Sequence, residues 1–299
     1  MSFDIKRRKL IKAGTVTVLA GSSSILLFGS NETEKFRNIN SELSESVNPK
    51  VINIGLEHEL AVRDNLQKIK NFNQTFSEDV FLNARKSFVC KSMLKKILEV
   101  QRVIGFANFN LISFDEMLRY ARRFPQIGYF TKTELALIDE IFFYDANKYG
   151  FYGNKVIKDL TSKINKKETV KIAGSGHYLF KGDALTTFDK LKNDVGPDLI
   201  LTSGVRSVVK QLQLFLAKLN SSNNNLSLTS RSLAPPGHSY HGIGDFDVGK
   251  KGFGRLNFTS QFSNTDEYKK LIELKYVDIR YTKNNNIGVR YEPWHIKVV

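Results

Sequence analysis

Four residues near the C-terminal end of this 299-residue chain carry side chains well suited to catalysis. His241 and Asp247 lie in one short segment, and Glu292 and His295 lie in another about fifty residues later. Two imidazoles and one carboxylate are typical protein ligands of a catalytic zinc ion, which leaves its fourth position to water. That water requires a base to accept its proton, and a carboxylate outside the ligand set can serve. The residue types therefore predict a hydrolytic zinc site.

The spacing of Glu292 and His295 bears on whether both can reach one cavity. In a flat strand, side chains three residues apart point to opposite faces. Pro293 lies between them, cannot donate to a strand ladder and favours a bend in the chain. We therefore expect both side chains to turn toward the same cavity, with His295 as a ligand and Glu292 as the base.

Three motifs occur in a fixed order and contain His241, Glu292 and His295, while Asp247 follows the second of them. They are Ser-Gly-Val-Arg-Ser at 203–207 followed by Gln211, Ser-x-His-x-x-Gly at 239–244, and Glu-x-Trp-His at 292–295. Together they resemble the motifs of the zinc D-alanyl-D-alanine carboxypeptidase family, which also contains L,D-carboxypeptidases and dipeptidases of peptidoglycan. The resemblance covers roughly residues 170–299.

The resemblance implies a role for each matching residue. The ligands of Zn²⁺ would be His241, Asp247 and His295, and Glu292 would be the catalytic base. Arg206 would hold the developing oxyanion or the terminal carboxylate of the substrate through its planar fork; a structural ion pair is the alternative. The other substrate-binding residues that it implies are Gln211, Ser239 and Trp294.

The carboxylate ligand has a competitor. The family leaves six residues between the first ligand His and the ligand Asp, whereas His241 and Asp247 have five between them. Six residues do separate His238 from Asp245, but His238 lacks the flanking Ser and Gly of the motif. We prefer Asp247, because the Val-Gly that follows it continues as in the family, and Asp245 stays an alternative.

These motifs predict a zinc-dependent peptidase that trims the stem peptides of peptidoglycan, releasing terminal D-alanine by attack of a metal-activated water. They do not choose between D,D and L,D bonds. One alternative is a peptidoglycan endopeptidase. Another is a wall-binding protein of the same fold with impaired catalysis, for which the shortened spacing is the argument.

The overall charge has two interpretations, attraction to an anionic partner or a Lys- and Asn-rich composition without any specific partner. The chain carries a formal net charge of +15 at pH 7, which favours nucleic acid, acidic lipid or an anionic wall polymer. We find no arginine-rich helix, zinc knuckle or aromatic RNA-binding signature, and we do not expect nucleic acid as a partner. Cys90 is the only cysteine of the chain, so no intrachain disulfide can form.

The N-terminal segment, residues 1–30, has the pattern of a twin-arginine export signal. Arg7 and Arg8 precede an uncharged run over residues 13–29. We expect export to the periplasm or to the outer face of the cytoplasmic membrane, with cleavage near Ser30. An uncleaved segment would instead give peripheral or anchored membrane association.

The rest of the chain divides into two regions that differ in their pattern of apolar and polar residues. Residues 31–165 predict a linker followed by a mostly helical domain, and residues 166–299 predict an α+β domain with an antiparallel sheet, the zinc carboxypeptidase-like part. His58 and His177 lie outside the motifs and are interpreted as structural.

Several elements can be placed individually. In the helical region, Leu94, Ile97 and Leu98 predict one apolar helix face, and Ser113 and Thr131 begin capping boxes. In the C-terminal region we predict strands at 170–172, 199–202 and 277–281, helices at 207–220 and 265–274, and a second hairpin arm at 287–298.

Overall fold

The computed structural model describes residues 63–299. The predicted export signal, the first part of the predicted linker and helical domain, and His58 lie outside these residues. A helix, α1, covers residues 63–70. The helices that follow are α2 (Ala84–Ile104), α3 (Phe106–Phe109), α4 (Phe114–Arg123) and α5 (Lys132–Phe143).

The C-terminal region alternates strands and helices. Its strands are β1 (Thr169–Lys171), β2 (Tyr178–Phe180), β3 (Leu199–Ser203), β4 (Phe246–Lys250), β5 (Asp278–Ile279) and β6 (His295–Lys297). Its helices are α6 (Asp183–Val195), α7 (Val208–Ser221), α8 (Leu226–Ser230) and α9 (Asp266–Glu273). Short 3₁₀ turns include Tyr240–Gly242. No helix within residues 63–299 is both long enough and apolar enough to cross a membrane.

The helix starts follow the capping chemistry predicted from the sequence. Ser113 Oγ accepts a hydrogen bond from the backbone of Glu116, whose carboxylate accepts one from the backbone of Ser113. Thr131 and Glu134 make the same reciprocal pair at the start of α5. Each box satisfies backbone N–H groups that the first turn of a helix leaves without partners.

Two sheets are present among the described residues. The strands β1 and β2 form an antiparallel pair, and the larger sheet has the order β3-β4-β6-β5 with every neighbouring pair antiparallel. The α+β class with an antiparallel C-terminal sheet is confirmed. In this register Asp247 on β4 pairs with His295 on β6 and with Ser203 on β3. The pairing brings residues of the first and third motifs to the same end of the sheet as Asp247.

The apolar core forms two clusters. One packs the larger sheet against α6 and includes Leu191, Phe246 and Trp294. The other joins α2 and the helices after it to α7, and it includes Ile97 and Leu212. The helix α7 therefore buries its apolar face against the helical region, and Arg206, just before the helix, contacts Asp247 on β4.

Two sequence predictions require correction. The buried face of α2 runs through Cys90, Met93, Ile97 and Val100, while Leu98 is 39% exposed, so the predicted apolar face was rotated. The predicted hairpin of β5 and β6 is present but much shorter than expected. The stretch between its two short strands forms turns rather than regular strand. Several side chains of this stretch line the cleft described below.

Candidate active site

The three predicted metal ligands lie together. Single ligand atoms of His241, Asp247 and His295 all lie within 4.8 Å of one another. The three residues are buried, with 2%, 4% and 3% of their surfaces exposed. A charged carboxylate at this depth needs compensating charge or hydrogen bonds, so the cluster is not an ordinary surface grouping.

The local fold explains how these residues meet. Asp247 and His295 are cross-strand partners on β4 and β6, and His241 lies on the 3₁₀ turn just before β4. A close approach of β2 to the chain after β3 adds a third support, since a Cβ on Gly204 would lie 2.0 Å from the carbonyl oxygen of Tyr178. Glycine is therefore required at this position, and its own carbonyl group faces His241.

Each imidazole uses one ring nitrogen for orientation and presents the other to Asp247. Nδ1 of His241 lies 2.9 Å from the carbonyl oxygen of Gly204, and its Nε2 lies 3.3 Å from Oδ2 of Asp247. Nε2 of His295 lies 3.0 Å from Asp245, and its Nδ1 lies 3.1 Å from Oδ1 of Asp247. Outer hydrogen bonds of this kind fix the tautomer and the ring orientation of metal-binding histidines.

The electrostatics of the cluster fit a bound cation. Burial and the positive charge of Arg206 lower the pKa of His241 to about 4, so this ring is neutral at neutral pH. Burial opposes ionisation of Asp247, but the attraction of the two imidazoles holds its pKa well below the ordinary value. With His241 neutral and its Nδ1–H bonded to Gly204, its Nε2 lone pair faces an anionic oxygen.

Oδ1 of Asp247 gives a second sign of an incomplete site. It is buried and has no partner with hydrogen-bond geometry, although Nδ1 of His295 lies 3.1 Å away. Buried carboxylate oxygens are normally hydrogen-bonded or bound to a metal. Burial would lower the pKa of His295, but its contacts with Asp245 and Asp247 raise it to about 9, so without a metal a proton supplies the missing positive charge.

Asp245, the competing carboxylate, is bound in a different way. It accepts hydrogen bonds from Nε and Nη2 of Arg280, from Nε2 of His295 and from the backbone of Val298. These donors occupy both of its oxygens, so it orients His295 rather than facing the cluster. His238, its possible companion, bonds instead to the carbonyl oxygen of Gly153. The geometry favours Asp247 as the ligand.

Glu292 lies beside the cluster, as its predicted role requires. Its Oε2 is 3.8 Å from Nδ1 of His295, and the two residues are joined by a turn in which the His295 N–H bonds to the Glu292 carbonyl oxygen at 3.1 Å. Pro293 lies inside this turn, where the sequence predicted a bend. Burial raises the pKa of the Glu292 carboxyl to about 7, close to the value that suits a general base at neutral pH.

Arg206 enters the site from the loop between β3 and α7. Its Nη2 donates to Ser203 Oγ at 2.8 Å and to Asp247 Oδ2 at 3.3 Å, and its Nη1 donates to Gln211 Oε1 at 3.1 Å. Gln211 is 1% exposed and also donates to the carbonyl oxygen of Ala234. The arginine reaches the cleft, whereas Gln211 lies behind it and holds the guanidinium in place.

A cleft of about 430 Å³ opens onto the cluster. It is lined by all three candidate ligands, by Glu292 and Arg206, and by the predicted substrate-binding residues Ser239 and Trp294. Trp294 also belongs to the sheet core, as predicted. Gln211 is not among the lining residues, and the substrate-binding role predicted for it stays a prediction.

The cleft also contains side chains that the sequence reasoning passed over. They are His177, which was interpreted as structural, together with Lys210, Tyr281 and Arg290. The ring of Tyr281 meets His295 edge to face, with 4.8 Å between the centroids. Arg290 lies 5.0 Å above the ring of Trp294, two residues before Glu292. Their sequence signal was proximity to the motifs, since Arg290 and Lys210 lie within four residues of motif positions.

Comparison with known proteins finds matches to the C-terminal region. Residues 181–299 match the family described as VanY: D-alanyl-D-alanine carboxypeptidase. The family resemblance predicted from the motifs is thus confirmed for this part of the chain. No curated protein matches the sequence.

Two solved structures are similar over the same share of the chain. One is the LdcB LD-carboxypeptidase, with 29% identity and a TM-score of 0.34, covering 44% of this chain and 63% of that chain. The other is a mutant of the vancomycin resistance D,D-pentapeptidase VanY from a VanB-type cassette in complex with Zn(II), with 20% identity and a TM-score of 0.34, covering 44% of this chain and 78% of that chain. The chain therefore spans less than two thirds of the length of the first of these structures.

Proposed function

We propose that this protein is a zinc-dependent carboxypeptidase that trims the stem peptides of peptidoglycan and releases terminal D-alanine. The observation that carries the proposal is the buried cluster of His241, Asp247 and His295 with Glu292 beside it at the floor of a cleft. The match of residues 181–299 to a D-alanyl-D-alanine carboxypeptidase family supports the substrate class. The net charge of +15 suits an anionic wall polymer.

The donor set suits zinc. Two imidazole nitrogens and one carboxylate make a three-ligand set of the kind found in catalytic zinc sites, and the orphaned Oδ1 of Asp247 gives such an ion an unused donor. When bound, zinc supplies Lewis-acid chemistry, because it lowers the pKa of water toward neutrality and polarises a carbonyl group. The Gly204 carbonyl group and Asp245 hold the two imidazoles in the tautomers that such binding needs.

Glu292 moves the proton in this proposal. Glu292 is buried next to His295, but the hydrogen bond that orients the His295 ring is made by Asp245. The Glu292 carboxylate is therefore free to accept a proton from the attacking water. The same carboxyl group then returns the proton to the leaving amine, which makes one residue both base and acid. Because bulk water is excluded from this buried position, the electrostatic interactions that assist both proton transfers are stronger.

Arg206 stabilises negative charge at the scissile carbonyl group. Two of its hydrogen bonds, to Ser203 and Gln211, hold its guanidinium rigid, so little reorganisation is needed as charge develops. Its contact with Asp247 also ties it to the ligand set. These contacts engage three of its five N–H groups, and the remaining two are available to the developing oxyanion.

The test uses defined muropeptides. The purified protein is incubated with tetrapeptide and pentapeptide muropeptides, with zinc or with a chelator, and D-alanine release is measured. Release from the pentapeptide identifies D,D-carboxypeptidase activity, and release from the tetrapeptide identifies L,D-carboxypeptidase activity. Cleavage of cross-linked dimers without D-alanine release would identify an endopeptidase. Absence of all three with stoichiometric zinc would overturn the enzymatic proposal.

We also propose export by the twin-arginine route, which rests on the paired arginines of residues 1–30 alone. Replacing Arg7 and Arg8 by Lys should retain the protein in the cytoplasm. Cell fractionation with a reporter fused after the signal measures this. Unchanged export would overturn the proposal, and recovery in washed membranes would indicate an anchored form.

A further inference from the structure

Lys210, at the start of α7, is a buried cation without a carboxylate partner. It is 7% exposed, and its ammonium group donates one hydrogen bond, to Gln213 Oε1 at 2.8 Å. Among the ion pairs of residues 63–299, none includes Lys210. An ammonium group has three donors, so two remain for another acceptor.

Aromatic rings hold this ammonium group at the wall of the cleft. Its Nζ lies 5.0 Å from the ring centroid of Phe106 and 5.6 Å from that of Phe109. Contacts with aromatic faces attract an ammonium group, but they do not replace the hydration that it loses on burial. Burial and nearby Arg206 lower the pKa of Lys210 to about 8, which leaves it mostly protonated at neutral pH.

His177 also packs against Phe106 and lines the same cleft. The two rings meet edge to face with centroids 5.6 Å apart, and Nδ1 of His177 is buried with no hydrogen-bond partner. Burial lowers the pKa of this imidazole to about 4, so it is neutral at neutral pH. A tight turn containing Gly176, with φ of 73°, brings it there. One cleft wall thus holds a cation and an unused imidazole nitrogen.

We propose that Lys210 and His177 form an anion subsite that binds a carboxylate of the substrate beside the catalytic centre. A carboxylate can accept a hydrogen bond from the ammonium group and one from the Nδ1–H tautomer of His177, which satisfies both unused groups. The cleft of about 430 Å³ contains both residues and the candidate metal ligands, so one peptide can reach both places.

The subsite rests on the proposed peptidase function, because a stem peptide carries carboxylates of two kinds. One is the C-terminal carboxylate next to the scissile bond, and the other is a free carboxylate within the peptide. The other cations of the cleft are Arg206 and Arg290. The hydrogen bonds of Arg206 to Ser203, Gln211 and Asp247 engage most of its fork. Arg290 donates to the carbonyl oxygen of Phe258 and lies over the ring of Trp294. Lys210 is therefore the better carboxylate partner.

The experiment compares three forms of one stem pentapeptide: unmodified, amidated at the C-terminus, and amidated at the internal carboxylate. Binding is measured by calorimetry on the zinc-loaded protein. Turnover is measured by release of D-alanine, or of D-alaninamide from the peptide amidated at the C-terminus. Lys210→Met keeps the length and apolar contacts of the side chain but removes its charge. A second variant, Lys210→Arg, keeps the charge in case the first fails to fold. Lys218→Met, on the same helix but outside the cleft lining, is the matched control.

We expect the wild type to prefer the unmodified peptide over one of the two amides. Lys210→Met should lose that preference, with Kd or KM for the unmodified peptide rising roughly 10- to 100-fold, the value of a hydrogen bond to a charged group. Zinc content should stay unchanged, and Lys218→Met should behave as wild type. His177→Gln should give a smaller loss of the same preference. The amide that is discriminated identifies which carboxylate the subsite binds.

Binding and turnover fail separately. Turnover by the wild type with the preference intact in Lys210→Met overturns the subsite but not the peptidase. In a second case, the wild type binds the unmodified peptide preferentially, Lys210→Met abolishes this preference, and no turnover is seen. That result supports the subsite and overturns the proposed peptidase activity. Absence of any preference in the wild type overturns the subsite whether or not D-alanine is released.

Discussion

Two buried carboxylates in different regions of the molecule show how a structural charge differs from a functional one. Asp79, in the loop after α1, has a side chain 2% exposed and pairs with Arg231 through two hydrogen bonds of 2.8 Å. It also accepts hydrogen bonds from Asn225 and from the backbone of Phe76. Asp247 is about as deeply buried, at 5% for its side chain, yet its Oδ1 has no hydrogen bond.

The difference lies in what surrounds each carboxylate. Around Asp79 a fixed guanidinium neutralises the charge, and both oxygens are occupied. The Arg206 guanidinium contacts only Oδ2 of Asp247. Two imidazoles with orienting partners behind them also aim nitrogen atoms at this carboxylate, which is a costly arrangement unless a cation is bound. A satisfied buried ion pair stabilises a fold, while an unsatisfied one marks a place for a ligand. The predictions below probe this contrast.

The largest expected effect is on metal binding. His241→Ala, His295→Ala or Asp247→Ala should reduce zinc from about one ion per chain to almost none, because each removes one of three ligands. Zinc per chain is measured by mass spectrometry after dialysis. Asp245→Ala should retain some zinc; loss from Asp245→Ala with retention by Asp247→Ala would move the ligand two residues back.

Glu292→Gln should separate binding from turnover. The variant keeps zinc, because Glu292 is not a ligand, but has no base for proton transfer. General acid–base catalysis contributes about 10²- to 10⁴-fold, so turnover should fall by that order. The rate of D-alanine release and the zinc content are measured on the same samples. A near-normal rate would show that another group acts as the base.

Asp79→Asn should give the reverse pattern. Removing one partner of a buried ion pair costs about 3–5 kcal/mol, because the other charge is left without compensation. Urea denaturation of the zinc-loaded variant should show this loss, while zinc content and turnover of the folded fraction stay at the wild-type level. A loss of zinc without a loss of stability would contradict the contrast between the two regions.

Asp245→Asn should weaken zinc binding without abolishing it. The residue orients the His295 ring through a hydrogen bond of 3.0 Å, and loss of such an outer partner typically costs about 10- to 100-fold in metal affinity. Competition with a chelator of known affinity measures the change. An unchanged affinity would mean that the packing of Tyr281 against the ring is sufficient to orient it.

The smallest expected effect concerns pH and the metal-free protein. Burial raises the pKa of Glu292 from 4.5 to about 7, so the folded state holds a proton that the unfolded chain releases. Its contribution to stability is present below pH 4.5 and is lost as pH rises through 7. Relative to Glu292→Gln, the wild type should lose on the order of 1–3 kcal/mol over this range. Urea denaturation in chelator at a series of pH values tests this, and parallel curves would refute it.

Most of the candidate site could be predicted from the sequence, but few of the groups that surround it could. The spacing of three motifs predicted the candidate ligands, the base and the bend at Pro293, because residue type and local order determine these. The strand register that pairs Asp247 with His295 depends on contacts distant in sequence. Orienting partners such as the Gly204 carbonyl group carry no side-chain signal, so they could not be identified.

The residues that the sequence analysis misplaced or passed over share a physical reason. Leu98 was predicted to face the core because a few residues of sequence do not determine which face of a 21-residue helix packs against its neighbours. Lys210 resembles any lysine on an amphipathic helix until the packing of Phe106 is known. His177 reaches the cleft only through the backbone of a glycine turn. In each case tertiary packing, rather than the local pattern, decided the outcome.

The core that α7 shares with the helical region has a consequence for the evolution and the engineering of substrate specificity. The helix buries Leu212 and Leu216 against the cluster that contains Ile97, and Arg206 and Lys210 lie at its start. A change that loosens this packing would shift the cleft wall without altering any residue of the motifs. Selection for a new substrate could therefore act through the helices, and grafting the motif-bearing region alone onto another protein would leave an apolar helix face exposed to water.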